Sequence, residues 1–271
     1  MSNPTLIAEG KTKRILAVDD ETVLIVSKDD ITAGDGAKHD VMKGKAQYST
    51  TTTCNVFRLL RRFVSTAFIE QIDEVTFKAV RCKMLPYEVV VRREAHGSYL
   101  KRMPTLEKGF VFNEPIKELF LKTNNRKWRN YNLICDDPLM IHNNAPATIS
   151  LYDPAIPLES QEPFLVLDEE EVFTNRHEEV LLDLMLKNAE QVFLILEDAC
   201  KRLGKKLLDF KVEYGINARD GLLLADVIDG DSWRLVDEEG VHLDKQPYRE
   251  NAAVADVAEK YRILAELTKQ F

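Results

Sequence analysis

The sequence predicts an α/β (α+β) fold in two lobes, a small antiparallel N-terminal lobe over 1–84 and a larger mixed lobe over 85–271. Three observations carry this. Leu6-Ile7-Ala8, Arg14 to Val18 and Thr22 to Val26 are short apolar segments separated by Glu9-Gly10-Lys11 and Asp19-Asp20, the pattern of antiparallel strands joined by tight turns. Leu181, Met185, Val192, Leu196, Ala199 and Leu203 recur at helical spacing up to Gly204, and Val254, Val257, Ala258, Tyr261, Leu264 and Ala265 repeat the pattern near the C-terminus. Between these helices, Leu208 to Gly215 places a charge at every second position, as a strand with one polar face would.

The remaining elements follow in order. Ala46 to Phe63 has apolar residues at mixed helical spacing, weakened by Ser49 and Thr50 to Thr53. Val75 to Phe77, Val80 and Glu88 to Val91 suggest strands, with Met84-Leu85-Pro86 as a connector between lobes. Half of the ten prolines fall in 137–163 among Asn, Ser and Asp, which reads as one long loop.

At 271 residues the chain is near the upper limit for a single core, which favours two lobes or one large domain. A net charge of −8 argues against a general nucleic-acid binder, so an anionic ligand needs a local basic pocket. No apolar run approaches a membrane span and the N-terminus has no signal pattern, so a cytosolic location is expected. The four cysteines lack metal or disulfide spacing, and the five histidines show no paired ligand spacing.

Chemistry concentrates in the charged strand. Asp209, Lys211 and Glu213 share one face while Phe210, Val212 and Tyr214 take the other. Asp220-Gly221 signals a two-residue hairpin that sets Asp226 opposite Gly215, making Glu213 and Asp226 diagonal neighbours roughly 7–8 Å apart. Two such carboxylates suit a Mg²⁺ ion carrying nucleotide phosphates, with Lys211 supplying part of the charge; the alternative is a hairpin whose outer face is merely wet. Gly10 with Lys11 and Lys13 forms a turn whose amides and lysines could meet a phosphate, although plain Gly-Lys hairpins look the same. Arg92 with Ser98, at the end of a buried strand, is a second anion grip or a solvated loop.

Six motifs then occur in an order that resembles the SAICAR synthetase (phosphoribosylaminoimidazole-succinocarboxamide synthase) family over nearly the whole chain. They are Glu9-Gly10-Lys11-x-Lys13, Thr32 to Gly36, Pro86-x-Glu88 to Arg92 ending in Gly97-Ser98, Leu208 to Gly215, Asp226 through Leu235, and Asp244-Lys245 through Arg249. The resemblance implies ATP-dependent condensation of carboxyaminoimidazole ribonucleotide (CAIR) with L-aspartate through an acyl phosphate, with ATP in the interlobe cleft, Mg²⁺ as cofactor and a homo-oligomer. It places Gly10, Lys11, Lys13 and Met84 on ATP, Glu213 and Asp226 on the metal, and Lys211 and Asp209 in catalysis. Asp35, Arg92, Ser98, Arg234 and Arg249 fall on the substrate side. Phosphoryl transfer proceeds largely by positioning and charge neutralisation, so such a site needs no Ser-His pair. The turn Arg92-Arg93-Glu94-Ala95-His96-Gly97-Ser98 and the spacer from Lys122 to Pro138 depart from the family pattern, as in a divergent branch. The competing readings are a small-molecule kinase akin to inositol phosphate kinases, suggested by Asp209-x-Lys211, and a non-catalytic nucleotide-binding module.

Overall fold

A computed structural model describes residues 4–144, 146–173 and 176–271. The chain forms two compact units: Met1–Met84, Leu194–Leu207 and Tyr214–Phe271 make the first, and Leu85–Phe193 with Leu208–Glu213 make the second. Residues 85–271 are expected as one lobe, but the chain closes the second unit at Glu213 and returns its C-terminal segment to the first. The physical reason is packing of the C-terminal helix on the first helix, described below.

The first unit begins with β1 (Thr5–Glu9), β2 (Lys13–Ala17), β3 (Thr22–Ser27), the hairpin β4 (Asp30–Ala33) and β5 (Lys38–Val41), α1 (Lys45–Leu60), β6 (Phe68–Gln71) and β7 (Thr76–Val80). Five strands form an antiparallel sheet in the order β1-β2-β3-β7-β6. The β2–β3 turn is fixed by Asp19, whose carboxylate accepts the Thr22 and Glu21 amides at 2.6 and 2.9 Å. Helix α1 forms straight through the Ser/Thr run, with tertiary contacts satisfying two of its hydroxyls. Thr50 Oγ1 shares a hydrogen bond with Ser27 Oγ at 2.7 Å, and Thr53 Oγ1 donates to the Ile228 carbonyl at 3.2 Å. Asp29 caps the helix by accepting the Ala46 amide at 2.9 Å.

The second unit contains β8 (Lys83–Glu94, from Leu85), α2 (Tyr99–Arg102), β9 (Val111–Leu121), β10 (Lys127–Trp128), β11 (Tyr131–Asn132), β12 (Leu139–Asn144), β13 (Ala147–Tyr152), β14 (Leu165–Asp168), α3 (Glu169–Val172), the part of α4 (Arg176–Arg202) up to Phe193, and the centre of β15 (Lys206–Ile216). The sheet order here is β14-β13-β12-β9-β8-β15. The expected loop over 137–163 is therefore corrected: it carries the hairpin β12–β13, paired from Leu139↔Tyr152 to Asn144↔Ala147. Its prolines stand in the connections and just outside the strands, at 138, 146, 154, 157 and 163, where they remove no ladder donor. Val90, Phe120 and Leu139 form a core under Ile141, Tyr152 and Leu158. Phe193 from α4 meets Phe210 from β15 at a centroid distance of 5.4 Å.

The first unit resumes with the end of α4, which stops at a Schellman-type cap. Gly204 takes φ +65°, and the Lys205 amide reaches back to the Cys200 carbonyl at 2.9 Å. It ends with β16 (Leu222–Ala225), β17 (Trp233–Val236), α5 (Gln246–Arg249) and α6 (Val254–Thr268). Val257, Tyr261, Leu264 and Ala265 of α6 are buried as its spacing predicts, and α6 packs on α1. Among the described residues no helix is long and apolar enough to cross a membrane.

Candidate active site

In the first unit, the glycine turn and the end of β16 supply complementary charge. The Gly10 amide donates to the Lys13 carbonyl at 2.9 Å, closing the turn that carries exposed Lys11 into β2. Lys11 lies along the 34–36 turn: a Cβ on Gly36, whose φ is +98°, would stand 3.4 Å from its Nζ. Asp35 belongs to that turn, but its side chain lies outside the described residues. Lys13 Nζ forms an ion pair with Asp226 Oδ1. Lys28, which sequence reasoning missed, adds a third ammonium, bonded to Glu9 at 3.1 Å and the Gly10 carbonyl at 3.4 Å. Its signal was position: it follows β3, the strand paired with β2.

Asp226 does not arise from the expected two-residue hairpin. β15 runs to Ile216 and β16 starts at Leu222, with the Asn217 amide donating to the Gly221 carbonyl at 3.1 Å. Asn217 Oδ1 accepts the Arg219 and Gly221 amides, both at 2.9 Å, so an Asx turn outcompetes the Asp-Gly signal. Asp226 itself lies just past β16 at φ +63°, where strand alternation no longer sets its direction. Met84 is exposed, and its sulfur lies 3.1 Å from where a Gly215 Cβ would stand; glycine at 215 is what lets the 82–84 segment approach β15. Arg234 is half-buried on β17, and exposed Arg249, at the end of α5, contacts Gln246 at 3.3 Å.

In the second unit the polar face of β15 meets β8 and β9. Lys211 Nζ donates to Glu88 Oε2 at 2.9 Å and to Glu213 Oε1 at 3.2 Å, while Lys122 reaches Glu213 Oε2 at 2.5 Å. Burial works against the Lys211 ammonium, but the two carboxylates outweigh it and raise its pKa above the ordinary lysine value. Asp209 is not the partner of Lys211. It accepts from Arg92 Nη1 at 2.6 Å, and Arg92 Nε donates to Glu118 at 2.6 Å. Glu118 in turn holds Arg102, so Asp209, Arg92, Glu118 and Arg102 form a charge-balanced buried chain beside the Tyr99 ring. Arg92 is thus held by two carboxylates, one of them Asp209. Ser98 is exposed at the start of α2, with its carbonyl accepting from Arg102 at 3.2 Å. Glu88, Glu118, Arg102 and Lys122 were missed; the signal for Glu88 was its place two steps from Arg92 on one strand face.

A second buried network lies in the first unit. Lys45 Nζ is 3.1 Å from Asp231, Lys245 is 3.6 Å from it, and Tyr261 donates its hydroxyl to the same carboxylate. Lys45 and Lys245 hold the Asp231 carboxyl well below the usual range despite burial, while neighbouring Asp229 is pushed up by burial and by Asp231.

Among the described residues no three His, Cys, Asp or Glu side chains converge as a closed metal cage. What exists is single hard-oxygen donors, Asp226 and Glu213, each facing ammonium groups. Each by itself suits a cation bound through one protein carboxylate and completed by substrate phosphates.

Lysines and carboxylates on sheet ends, with neither of the two most buried thiols ionisable near neutrality, define a phosphate-handling α/β enzyme working by positioning and charge; Cys54 and Cys200 are pushed up to about 12 by burial. The chain belongs to the SAICAR synthetase family, whose model matches residues 6–143 and 159–264. It is 37% identical over 273 residues to a phosphoribosylaminoimidazole-succinocarboxamide synthase of Chloroflexus aurantiacus, covering 97% of this chain and 95% of that one. It is 36% identical over 253 residues to the multifunctional protein ADE2 of Gallus gallus, covering 90% of this chain and 52% of the relative. A solved SAICAR synthetase in complex with ADP superposes with a TM-score of 0.75 at 28% identity, covering 96% of both chains.

Proposed function

We infer that the protein is an ATP-dependent ligase that joins CAIR to L-aspartate in purine biosynthesis. The observation that carries this reading is family membership over nearly the whole chain together with the lysine–carboxylate pairs Lys13–Asp226 and Lys211–Glu213. A CAIR carboxylate oxygen attacks the γ-phosphorus of ATP and ADP leaves, giving an acyl phosphate. The aspartate amine then attacks the acyl carbon, phosphate departs, and the nitrogen loses a proton to give the succinocarboxamide. Neither step needs an enzyme nucleophile.

In this reading the Gly10 turn, Lys11 and Lys13 receive the ATP phosphates, and Met84 presents its backbone to adenine. Lys211 neutralises charge on the transferred phosphoryl group. Arg92, oriented by Glu118 and Asp209, serves the CAIR side with Ser98, Arg234, Arg249 and Asp35. Glu213 and Asp226 would hold Mg²⁺, which when bound neutralises phosphate charge and orients the phosphoryl group for transfer. Phosphates drawing Lys13 away from Asp226, and Lys211 and Lys122 away from Glu213, would open these carboxylates to the cation. The same reading carries a homo-oligomer, checked by light scattering.

The test measures ADP and succinocarboxamide with ATP, Mg²⁺ and CAIR, with and without L-aspartate. Aspartate-dependent ADP matched by product is expected. ADP released equally without aspartate replaces the ligase with phosphorylation of an acceptor or uncoupled hydrolysis, and no ADP in either case overturns catalysis on these substrates.

A further inference from the structure

Arg102 connects Arg92 and Ser98, and each of its guanidinium nitrogens has a partner. Nε and Nη2 both donate to Glu118 Oε1, the former at 3.0 Å, while Nη1 donates to the carbonyls of Ser98 at 3.2 Å and Pro154 at 3.4 Å. Glu118 therefore divides its carboxylate: Oε1 serves Arg102, and Oε2 accepts from Arg92 Nε at 2.6 Å. The sheet sets these groups side by side. Arg92 of β8 pairs with Ile116 of β9, which makes Glu118 its diagonal neighbour on one face. On the other side of β8, Asp209 of β15 accepts from Arg92 Nη1. The Tyr99 ring centre lies 5.7 Å from both guanidinium carbons, and the four charged side chains are between 1% and 8% exposed. With so little water to compete, each bond in the chain sets the direction of the next.

We propose that Arg102 is a positioning residue for the phosphomonoester of the substrate: it pins Glu118 so that Arg92 keeps a donor for the phosphate, and it holds the Ser98 carbonyl. This rests on the function proposed above, in which Arg92 and Ser98 serve the CAIR side. Arg92 meets its two carboxylates through Nε and Nη1, and the phosphate falls to Nη2. Without Arg102, Oε1 of Glu118 loses its own cation and turns to Arg92, because a guanidinium and a carboxylate pair best through two parallel bonds. That fork takes Nη2, the donor that the phosphate needs. The Ser98 carbonyl loses its side-chain donor in the same step, which loosens the turn after Gly97, a residue at φ +57°.

The test uses the full chain with Arg102→Lys, and with Arg102→Met combined with Glu118→Gln, a double variant that leaves Asp209 and Arg92 as a balanced buried pair. Both are checked for native circular dichroism. The probe is ribose 5-phosphate, titrated by calorimetry. Its Kd is expected to rise roughly tenfold in either variant, the scale of one charge-assisted hydrogen bond. Lysine gives no rescue, because an ammonium cannot make the fork on Glu118 and reach the Ser98 carbonyl together. In turnover, kcat/KM for CAIR falls by a similar factor relative to the same nucleoside without its phosphate, while KM for ATP is unchanged. A merely structural role would lower both substrates alike. Full ribose 5-phosphate affinity in either variant overturns the proposal, as does a CAIR-to-nucleoside ratio that stays at the wild-type value. No binding of ribose 5-phosphate to the wild-type protein overturns the phosphate grip and the proposal with it. A wild-type protein that binds ribose 5-phosphate without aspartate-dependent ADP release overturns the ligase reading alone, and the calorimetry still decides the role of Arg102.

Discussion

At the scale of single residues, the second buried network makes the sharpest stability statement. Asp231 takes Lys45, Lys245 and Tyr261 in a setting where Lys45 is 1% exposed. Asp231→Asn leaves the Lys45 ammonium with the more weakly acting Asp29 and with Asp229, whose ionised form burial disfavours, and is expected to cost about 3–5 kcal/mol in urea unfolding at neutral pH. Its pH dependence has a definite sign. The folded carboxyl is held below its ordinary 3.8, so the pair's contribution is complete above that value and is lost as pH falls toward the folded value. The stability gap between wild type and variant should therefore narrow below about pH 3.8; a constant gap would assign the cost to packing alone. This network was not legible in sequence. Its members come from α1, the 229–231 turn, Lys245 and α6, and no strand or helix period links them. By contrast, Asp209, Lys211 and Glu213 were legible as one polar face, because a strand's period of two fixes their direction from the sequence alone. Their partners were not, since alternation says nothing about which strand lies alongside.

At the scale of elements, the same distinction separates what periodicity and turn chemistry each revealed. The N-terminal antiparallel strands, α4 and α6 follow from spacing; in the two helices Leu181, Met185, Val192, Leu196, Val257, Tyr261 and Leu264 are buried as the spacing selects, whereas β1 is exposed throughout. The hairpin β12–β13 was hidden by its proline-rich connections, and the β15–β16 connection by competition between two turn signals, of which Asn217 won. Glycine at 215 is the element-level feature with the clearest consequence. A Cβ there would stand 2.5 Å from the Cys82 Cβ and 3.3 Å from the Lys83 carbonyl oxygen, both parts of the chain that cannot rotate away. Gly215→Ala is expected to lower the urea midpoint by the equivalent of about 1–3 kcal/mol with an unchanged m-value, the usual cost of overpacking. Because the displaced segment carries Met84, the variant should also bind ADP more weakly by calorimetry. Loss of stability with ADP affinity untouched would separate the 82–84 segment from nucleotide binding.

At the scale of the whole molecule, the order of segments along the chain bears on cooperativity. The second unit is inserted between parts of the first, and the chain passes from one to the other within β8, between Met84 and Leu85, within α4, between Phe193 and Leu194, and within β15, after Leu207 and after Glu213. A helix and a strand that continue through the boundary cannot lose one half without fraying the hydrogen-bond ladder of the other. The two units are therefore expected to unfold in one transition despite their separate cores. The two tryptophans report this directly, since buried Trp128 belongs to the second unit and buried Trp233 to the first. In single-tryptophan variants, Trp128→Phe and Trp233→Phe, the fluorescence and far-ultraviolet circular dichroism transitions should coincide within each protein. Mg²⁺ with ADP at about a hundred times its Kd should add roughly 2.7 kcal/mol, because ligand that binds only the folded state stabilises it by mass action. For a chain of this size that moves Tm by about 5–10 °C. The shift should appear equally on both reporters, although the glycine turn, Lys13 and Asp226 all lie in the first unit. A shift confined to Trp233 would mean that the second unit unfolds on its own, and that continuity through α4 and β15 does not couple the two cores.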